Sequence, residues 1–261
     1  MSHFGKCVLK NGLALIADYF LWINKYAKHP EKYDIKIRYG KLRKLLINVS
    51  KGFDVEYHVE GLENIPEEAC CFVSNHLSNY DPLALISIID KPCTFVAKKE
   101  LIKWPFIGKM IKDIDGLFID REDLKQSLRI MMKVEEDLKV NRNKNWIIFP
   151  EGTRNKDPMK NMKEFHHGTF RPAVKAGVPI VPVAIFGSTR VLYKKPKYKK
   201  YPVFVKFLKP INPEDYKGLS TNQIAQMSQE MIEKVVSFEL RQLDHREMSK
   251  CDKKYRFNRI K

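Results

Sequence analysis

The sequence predicts an α/β fold, a mostly parallel sheet flanked by helices, with an N-terminal amphipathic helical segment in front of it. From residue 55 onward, short β-type apolar runs alternate with stretches of helical period, as strands joined by crossover helices do. Before residue 52, apolar residues recur only at helical spacing among basic ones. Size agrees: 261 residues, 44% of them hydrophobic, can bury a full core, and no repeat or low-complexity tract interrupts them. The expected organisation is a helical segment over residues 1–50 and a main domain over 51–261.

The first apolar run, Leu13 to Ile23, is eleven residues long with Asp18 in its middle. A spanning helix needs about twenty apolar residues, so this run is too short to cross a bilayer. Leu9, Leu13, Ile16 and Phe20 fall on one helical face, Tyr19 and Trp22 suit a headgroup boundary, and Lys6, Lys10, Lys25 and Lys28 flank them. The segment reads as a helix lying on a membrane surface; a helix packed on the main domain is the plainer alternative. The run is followed by Asn24-Lys25-Tyr26 rather than small residues, so no cleavable signal pattern is expected. A second helical stretch, Tyr39 to Val49, completes the segment.

Strands are expected at Val55–Val59, Cys70–Asn75, Cys93–Ala97, Leu117–Ile119, Trp146–Phe149, Ile180–Phe186 and Val203–Leu208. Helices are expected at Asp81–Asp90, from about Arg121 to Val140, at Phe170–Ala176, and from a Ser220 or Thr221 cap to about Arg246. The last two strands, joined by a lysine-rich turn, form a hairpin that adds antiparallel character.

The charge balance is basic, with 48 Lys and Arg against 31 Asp and Glu. This implies an anionic partner, whether lipid surface, nucleic acid or phosphorylated substrate. Interleaved aromatics of a nucleic-acid platform are not evident, so no nucleic acid is expected. The basic residues concentrate in 1–52, in 191–209 and in the last 21 residues. Five cysteines, Cys7, Cys70, Cys71, Cys93 and Cys251, include no C-x-x-C pair and read as reduced, buried thiols.

Four motifs carry chemistry. The first, Ser74 through Pro82, follows a strand and holds His76 and Asp81 five positions apart. A neutral imidazole can take the proton from an alcohol, and it does so far better when a carboxylate holds its other ring nitrogen. The plain alternative makes Asp81 an N-cap with Pro82 opening the helix. In the second, Gly116 through Arg121, a strand delivers Arg121 to its end, where guanidinium binds phosphate bidentately and Asp120 could orient it; a surface Asp–Arg pair is the alternative. The third, Phe149 through Arg154, holds Glu151, which can accept a hydrogen bond from a hydroxyl, and Gly152, which allows close backbone approach. Thr153 and Arg154 follow, Arg154 as a second phosphate contact; a plain β-turn with exposed charges is the alternative. The fourth, Val178 through Val183, carries two prolines and reads as an edge, a ligand-lined wall, or core.

In this order the four motifs resemble the glycerolipid acyltransferases typified by lysophosphatidic acid (1-acylglycerol-3-phosphate) acyltransferase, over about residues 55–210. The resemblance implies an acyltransferase catalytic domain with His76 as base, Asp81 as its partner, Arg121 and Arg154 on phosphate, and Glu151 placing the acceptor glycerol. It implies acyl-CoA or acyl-carrier protein as donor, lysophosphatidic acid as acceptor, phosphatidic acid as product and no cofactor. Residues 1–50 and the basic patches add the expectation of a peripheral or monotopic protein on an anionic membrane surface at the cytoplasmic face. The chain departs from the family at Phe165-His166-His167-Gly168, where His166 stands in place of a common phosphate-facing lysine. Glycerol-3-phosphate or another lysolipid as acceptor stays open, as does a non-catalytic anionic-lipid-binding protein. A metal site built from His76, Asp81, Glu151, His166 and His167 is not expected, because no metal-ligand spacing such as H-E-x-x-H is present.

Overall fold

The computed structural model describes residues 3–155, 162–192 and 198–251. The N-terminal segment is helical in two limbs. The first runs through α1 (His3–Asp18), one wide π-type turn (Tyr19–Ile23) and α2 (Asn24–Lys28). It stops at His29, because the residue before a proline is pushed out of helical geometry and Pro30 lacks an amide donor. Asp34 then caps the second limb, α3 (Ile35–Gly52), by accepting from the Lys36 amide at 2.6 Å.

The remaining elements in order are β1 (Val55–Glu60), β2 (Cys71–Ser74), α4 (Asp81–Ile88), β3 (Cys93–Lys98), α5 (Ile107–Asp113) and β4 (Leu117–Ile119). Then come α6 (Leu124–Val140), β5 (Asn145–Ile148), α7 (Arg171–Ala176), β6 (Ile180–Phe186), β7 (Tyr201–Phe207), α8 (Thr221–Lys234) and, after a π-type turn over Val235–Leu240, α9 (Arg241–Cys251). A capping box between Ser220 and Gln223 starts α8. The lysine-rich turn before β7 falls at 193–197, outside the described residues.

The strands form one sheet in the order β1-β7-β6-β2-β5-β3-β4. Every neighbouring pair is parallel except β6 and β7, the expected hairpin. Pro182 lies one residue ahead of the β6–β7 register, which starts at Val183, and is buried in the core. Alternate side chains of each central strand enter opposite layers, so both faces are buried and the strands read as continuous apolar runs. Phe72, Ile147 and Val181 pack under α3, α4 and α5, whereas Val73, Trp146 and Ile180 pack under α6, α7 and α8.

The N-terminal limbs belong to the first layer. Trp22, Ile23 and Tyr26 are buried in it, and Tyr39 donates from α3 to the carbonyl of Ile89 at 2.9 Å. The opposite face of the first limb keeps Leu13, Ile16, Phe20 and Leu21 exposed. No helix among the described residues is long and apolar enough to cross a membrane. Cys7, Cys70, Cys71 and Cys93 are buried and form no disulfide among the described residues, and burial pushes the Cys71 and Cys93 thiols up to about 12. The Cys251 side chain lies outside the described residues.

Candidate active site

The five strands β6, β2, β5, β3 and β4 run the same way and end on one side of the sheet, and open α/β sheets bind ligands beyond such carboxyl ends. There β2 delivers His76, β4 delivers Arg121 and β5 delivers Glu151. The end of β2 is fixed by Asn75, which donates to the carbonyl of Ile185 at 2.9 Å and accepts from its amide at 2.8 Å. The side chain thus bonds to β6 as a strand would, and His76 leaves the sheet from a fixed point.

Asp81 folds back rather than capping its own helix. Its Oδ2 accepts from the amides of Leu77 (2.7 Å) and Ser78 (2.8 Å) and from His76 Nδ1 (2.8 Å). Pro82 makes this arrangement tolerable, since the first helical turn has one amide fewer to satisfy. The Asp81 side chain is fully buried and that of His76 is 12% exposed. With Nδ1–H given to the carboxylate, the lone pair sits on Nε2. Phe149 stacks on the imidazole at 4.3 Å between centroids.

Arg121 sits in the turn before α6, which begins three residues later than expected because Asp123 is its cap, accepting from the Gln126 amide. The Asp120–Arg121 pairing that the sequence left open is not made among the described residues. The Asp120 carboxylate instead accepts hydrogen bonds from Lys99 and from the Glu122 amide, which hold it below the usual carboxylate range. Neither Arg121 nor Arg154 makes a hydrogen bond or ion pair among the described residues, and both are exposed at the cavity described below. Desolvation lowers the Arg121 guanidinium from its ordinary value, with Glu100 opposing and Arg154 reinforcing the shift. The two cations therefore feel each other.

Gly152 has φ +63°, which favours glycine, and an added Cβ would stand 3.1 Å from the His166 ring. His166 is held by its amide on the carbonyl of Pro150 at 2.9 Å. Thr153 lines the same opening. Glu151 is buried with both oxygens on backbone amides: Oε1 accepts from His76 at 2.7 Å and Oε2 from Lys163 at 3.3 Å. Burial raises its carboxyl above the ordinary value against the pull of these bonds.

All the expected site residues except Asp81, which stands behind His76, line one cavity of about 1160 Å³. Its lining includes the polar side chains of His76, Arg121, Arg154 and His166 and many apolar ones, among them Leu42 and Leu46 of α3. That exceeds the ~300–1,000 Å³ of ordinary small-molecule sites. Sequence reasoning missed the wall formed by Leu101, Trp104, Ile107 and Met110, because α5 was not expected at all. Its signal was the dense apolar spacing between Leu101 and Ile111. Among the described residues, no three His, Cys, Asp or Glu side chains converge as metal ligands do.

An imidazole and two guanidinium groups, unpaired among the described residues, in the lining of a large and mostly apolar cavity suit an enzyme that handles an anionic amphiphile. Comparison with known proteins names the class: residues 56–186 match the family model described as Acyltransferase, and the chain belongs to this family of enzymes. The chain is similar to the probable 1-acyl-sn-glycerol-3-phosphate acyltransferase of Mycoplasma pneumoniae, 36% identical over 217 residues, covering 77% of this chain and 78% of that one. It is 31% identical over 188 residues to the 1-acyl-sn-glycerol-3-phosphate acyltransferase of Saccharomyces cerevisiae, covering 71% of this chain and 59% of that one. The crystal structure of the 1-acyl-sn-glycerophosphate (LPA) acyltransferase, PlsC, from Thermotoga maritima superposes with a TM-score of 0.66 at 27% identity, covering 88% of each chain.

Proposed function

We propose that this enzyme transfers a fatty acyl group from acyl-CoA or acyl-carrier protein to the sn-2 hydroxyl of 1-acylglycerol-3-phosphate, giving phosphatidic acid for phospholipid biosynthesis. The observation that carries the reading is the shared cavity, whose lining joins His76, backed by Asp81, to two guanidinium groups that are unpaired among the described residues and to many apolar side chains. The relatives' names point the same way.

In this mechanism Arg121 and Arg154 hold the acceptor phosphate, with His166 beside them. Nε2 of His76 removes the proton of the sn-2 hydroxyl as its oxygen attacks the thioester carbonyl. Asp81 stabilises the resulting imidazolium, and backbone N–H groups near the motif stabilise the tetrahedral oxyanion. Collapse breaks the carbon–sulfur bond, and the leaving thiolate takes the proton from His76. The protein sits at the cytoplasmic face of a membrane, with residues 1–50 as the surface-binding segment and 51–261 as the catalytic domain. The exposed Leu13, Ile16, Phe20 and Leu21, with lysines near them, support that placement.

The test is thiol release from acyl-CoA, or from acyl-carrier protein, in the presence of lysophosphatidic acid. Release that needs this acceptor, survives strong chelators and is lost in His76→Ala is expected. Release only with glycerol-3-phosphate or another lysolipid would move the acceptor assignment; none with any acceptor would end the reading.

A further inference from the structure

The resemblance assigns Glu151 to the acceptor glycerol, but its surroundings describe another task. We propose that Glu151, although it lines the cavity, acts as a positioning residue that fixes His76 rather than as a substrate ligand. The inference rests on His76 being the base of the proposed reaction.

Glu151 is 2% exposed, and each carboxylate oxygen already receives a backbone N–H, one from His76 and one from Lys163. The rest of its loop holds the same residue. The Asn155 amide donates to the His76 carbonyl at 2.7 Å, and Phe149 lies against the imidazole face. One short segment after β5 therefore grips His76 at its N–H, its C=O and its ring, while Asp81 grips Nδ1. Through Lys163 the same carboxylate also tethers the segment that leads to His166. Burial disfavours the ionised form of Glu151, and the two amides oppose that cost.

Only a carboxylate meets both donors. Glutamine has one acceptor oxygen and an NH₂ group, so in Glu151→Gln one amide loses its acceptor and faces another donor. Either His76 or the 163–166 segment is then released. A positioning role and a ligand role diverge in kinetics, because losing geometry at the base lowers kcat, whereas losing a ground-state contact raises the acceptor KM.

In Glu151→Gln, kcat is expected to fall about 10- to 100-fold with the acceptor KM within about twofold of wild type. In Arg154→Ala the KM is expected to carry most of the change. A second readout does not need turnover: the imidazole proton shared with Asp81 gives a downfield NMR signal, expected to shift or broaden in Glu151→Gln and to persist in Arg154→Ala. If Glu151→Gln fails to fold, Glu151→Asp carries the same test, since it keeps the charge but cannot span both amides. A KM rise of tenfold or more at unchanged kcat, or an unperturbed His76 signal, overturns the proposal. Inactivity of the wild type towards every acceptor would instead sink the proposed reaction, and the NMR arm would still decide the positioning role.

Discussion

At the scale of single residues, the site turns on how one carboxylate is used. Three donors converge on Oδ2 of Asp81, while its buried Oδ1 has no hydrogen-bond partner among the described residues. An amide could copy this shape by placing its oxygen at Oδ2 and its NH₂ at Oδ1, but it would not supply the charge that steadies an imidazolium. Asp81→Asn is therefore expected to fold and to lose about 10²- to 10⁴-fold in kcat, with the acceptor KM little changed in steady-state assays. Gly152→Ala is a steric counterpart. Left-handed backbone costs an alanine about 1–2 kcal/mol, and the new methyl presses on His166, so both melting temperature and acceptor affinity should fall. The spacing of His76 and Asp81 was legible in the sequence, because a turn opening a helix closes that distance. Whether Asp81 would cap its helix or turn back was not legible, since Asp-Pro serves either outcome. Nor was the engagement of Asp120 by Lys99, or of Glu151 by the Lys163 amide, since those partners meet only once the loops are folded.

At the scale of elements, α3 couples the N-terminal segment to the turn that carries His76 and Asp81. The hydroxyls of Ser50 on α3, Tyr57 on β1 and Tyr80 at the start of α4 bond to one another within 2.9 Å, one residue from Asp81. Further along, Arg38 forms a two-pronged ion pair with Asp115 and donates to the carbonyl of Asp113. Asp113 itself is buried at the end of α5 with both carboxylate oxygens unpartnered among the described residues. Desolvation, with Asp115 adding, pushes its carboxyl up to about 8 despite the opposing charges of Arg38 and Lys109. The unfolded chain releases this proton near pH ~4. From there up to about 8 the folded state holds a proton that the unfolded state has lost, so stability falls as pH rises through that window. Roughly 2–3 kcal/mol should disappear between about pH 6 and about pH 9. Asp113→Asn removes the titration, and its melting temperature should exceed that of wild type at the alkaline end by several degrees. Thermal melts across pH check this; parallel curves for the two proteins would contradict it. Sequence periodicity found the long helices and the β6–β7 hairpin. It missed α5, whose seven residues are too few to display a period, and it gave no sign that β1 pairs with β7, a contact across most of the chain.

At the scale of the whole molecule, the first helical limb meets two environments at once. The sequence left it either on a membrane or on the main domain, and the structure has both faces occupied differently. Trp22, expected at a headgroup boundary, is buried and donates to Asp18 at 2.8 Å; Tyr19 accepts from Lys109 of α5. The other face carries Leu13 and Phe20, 88% and 73% exposed. Among the residues that line the cavity, Trp104 and Leu124, Leu128 and Met132 of α6 are also exposed, the last three interleaved in sequence with Lys125, Arg129 and Lys133. Apolar tips among lysines suit an anionic bilayer, where burial of each large side chain contributes about 1.5–3 kcal/mol and each nearby cation about 1 kcal/mol. These contributions respond differently to salt, because only the charge interaction is screened. The double variant Leu13→Glu, Phe20→Glu leaves the packed face untouched and should keep its melting temperature. Its partitioning onto anionic vesicles should drop by tenfold or more, as an order of magnitude, while turnover of a short-chain, water-soluble acceptor stays near wild type. High salt should weaken the wild type on anionic vesicles without abolishing binding. Vesicle co-sedimentation that does not change in the double variant would assign the first limb to packing alone and leave the exposed cavity-lining residues as the surface that meets lipid.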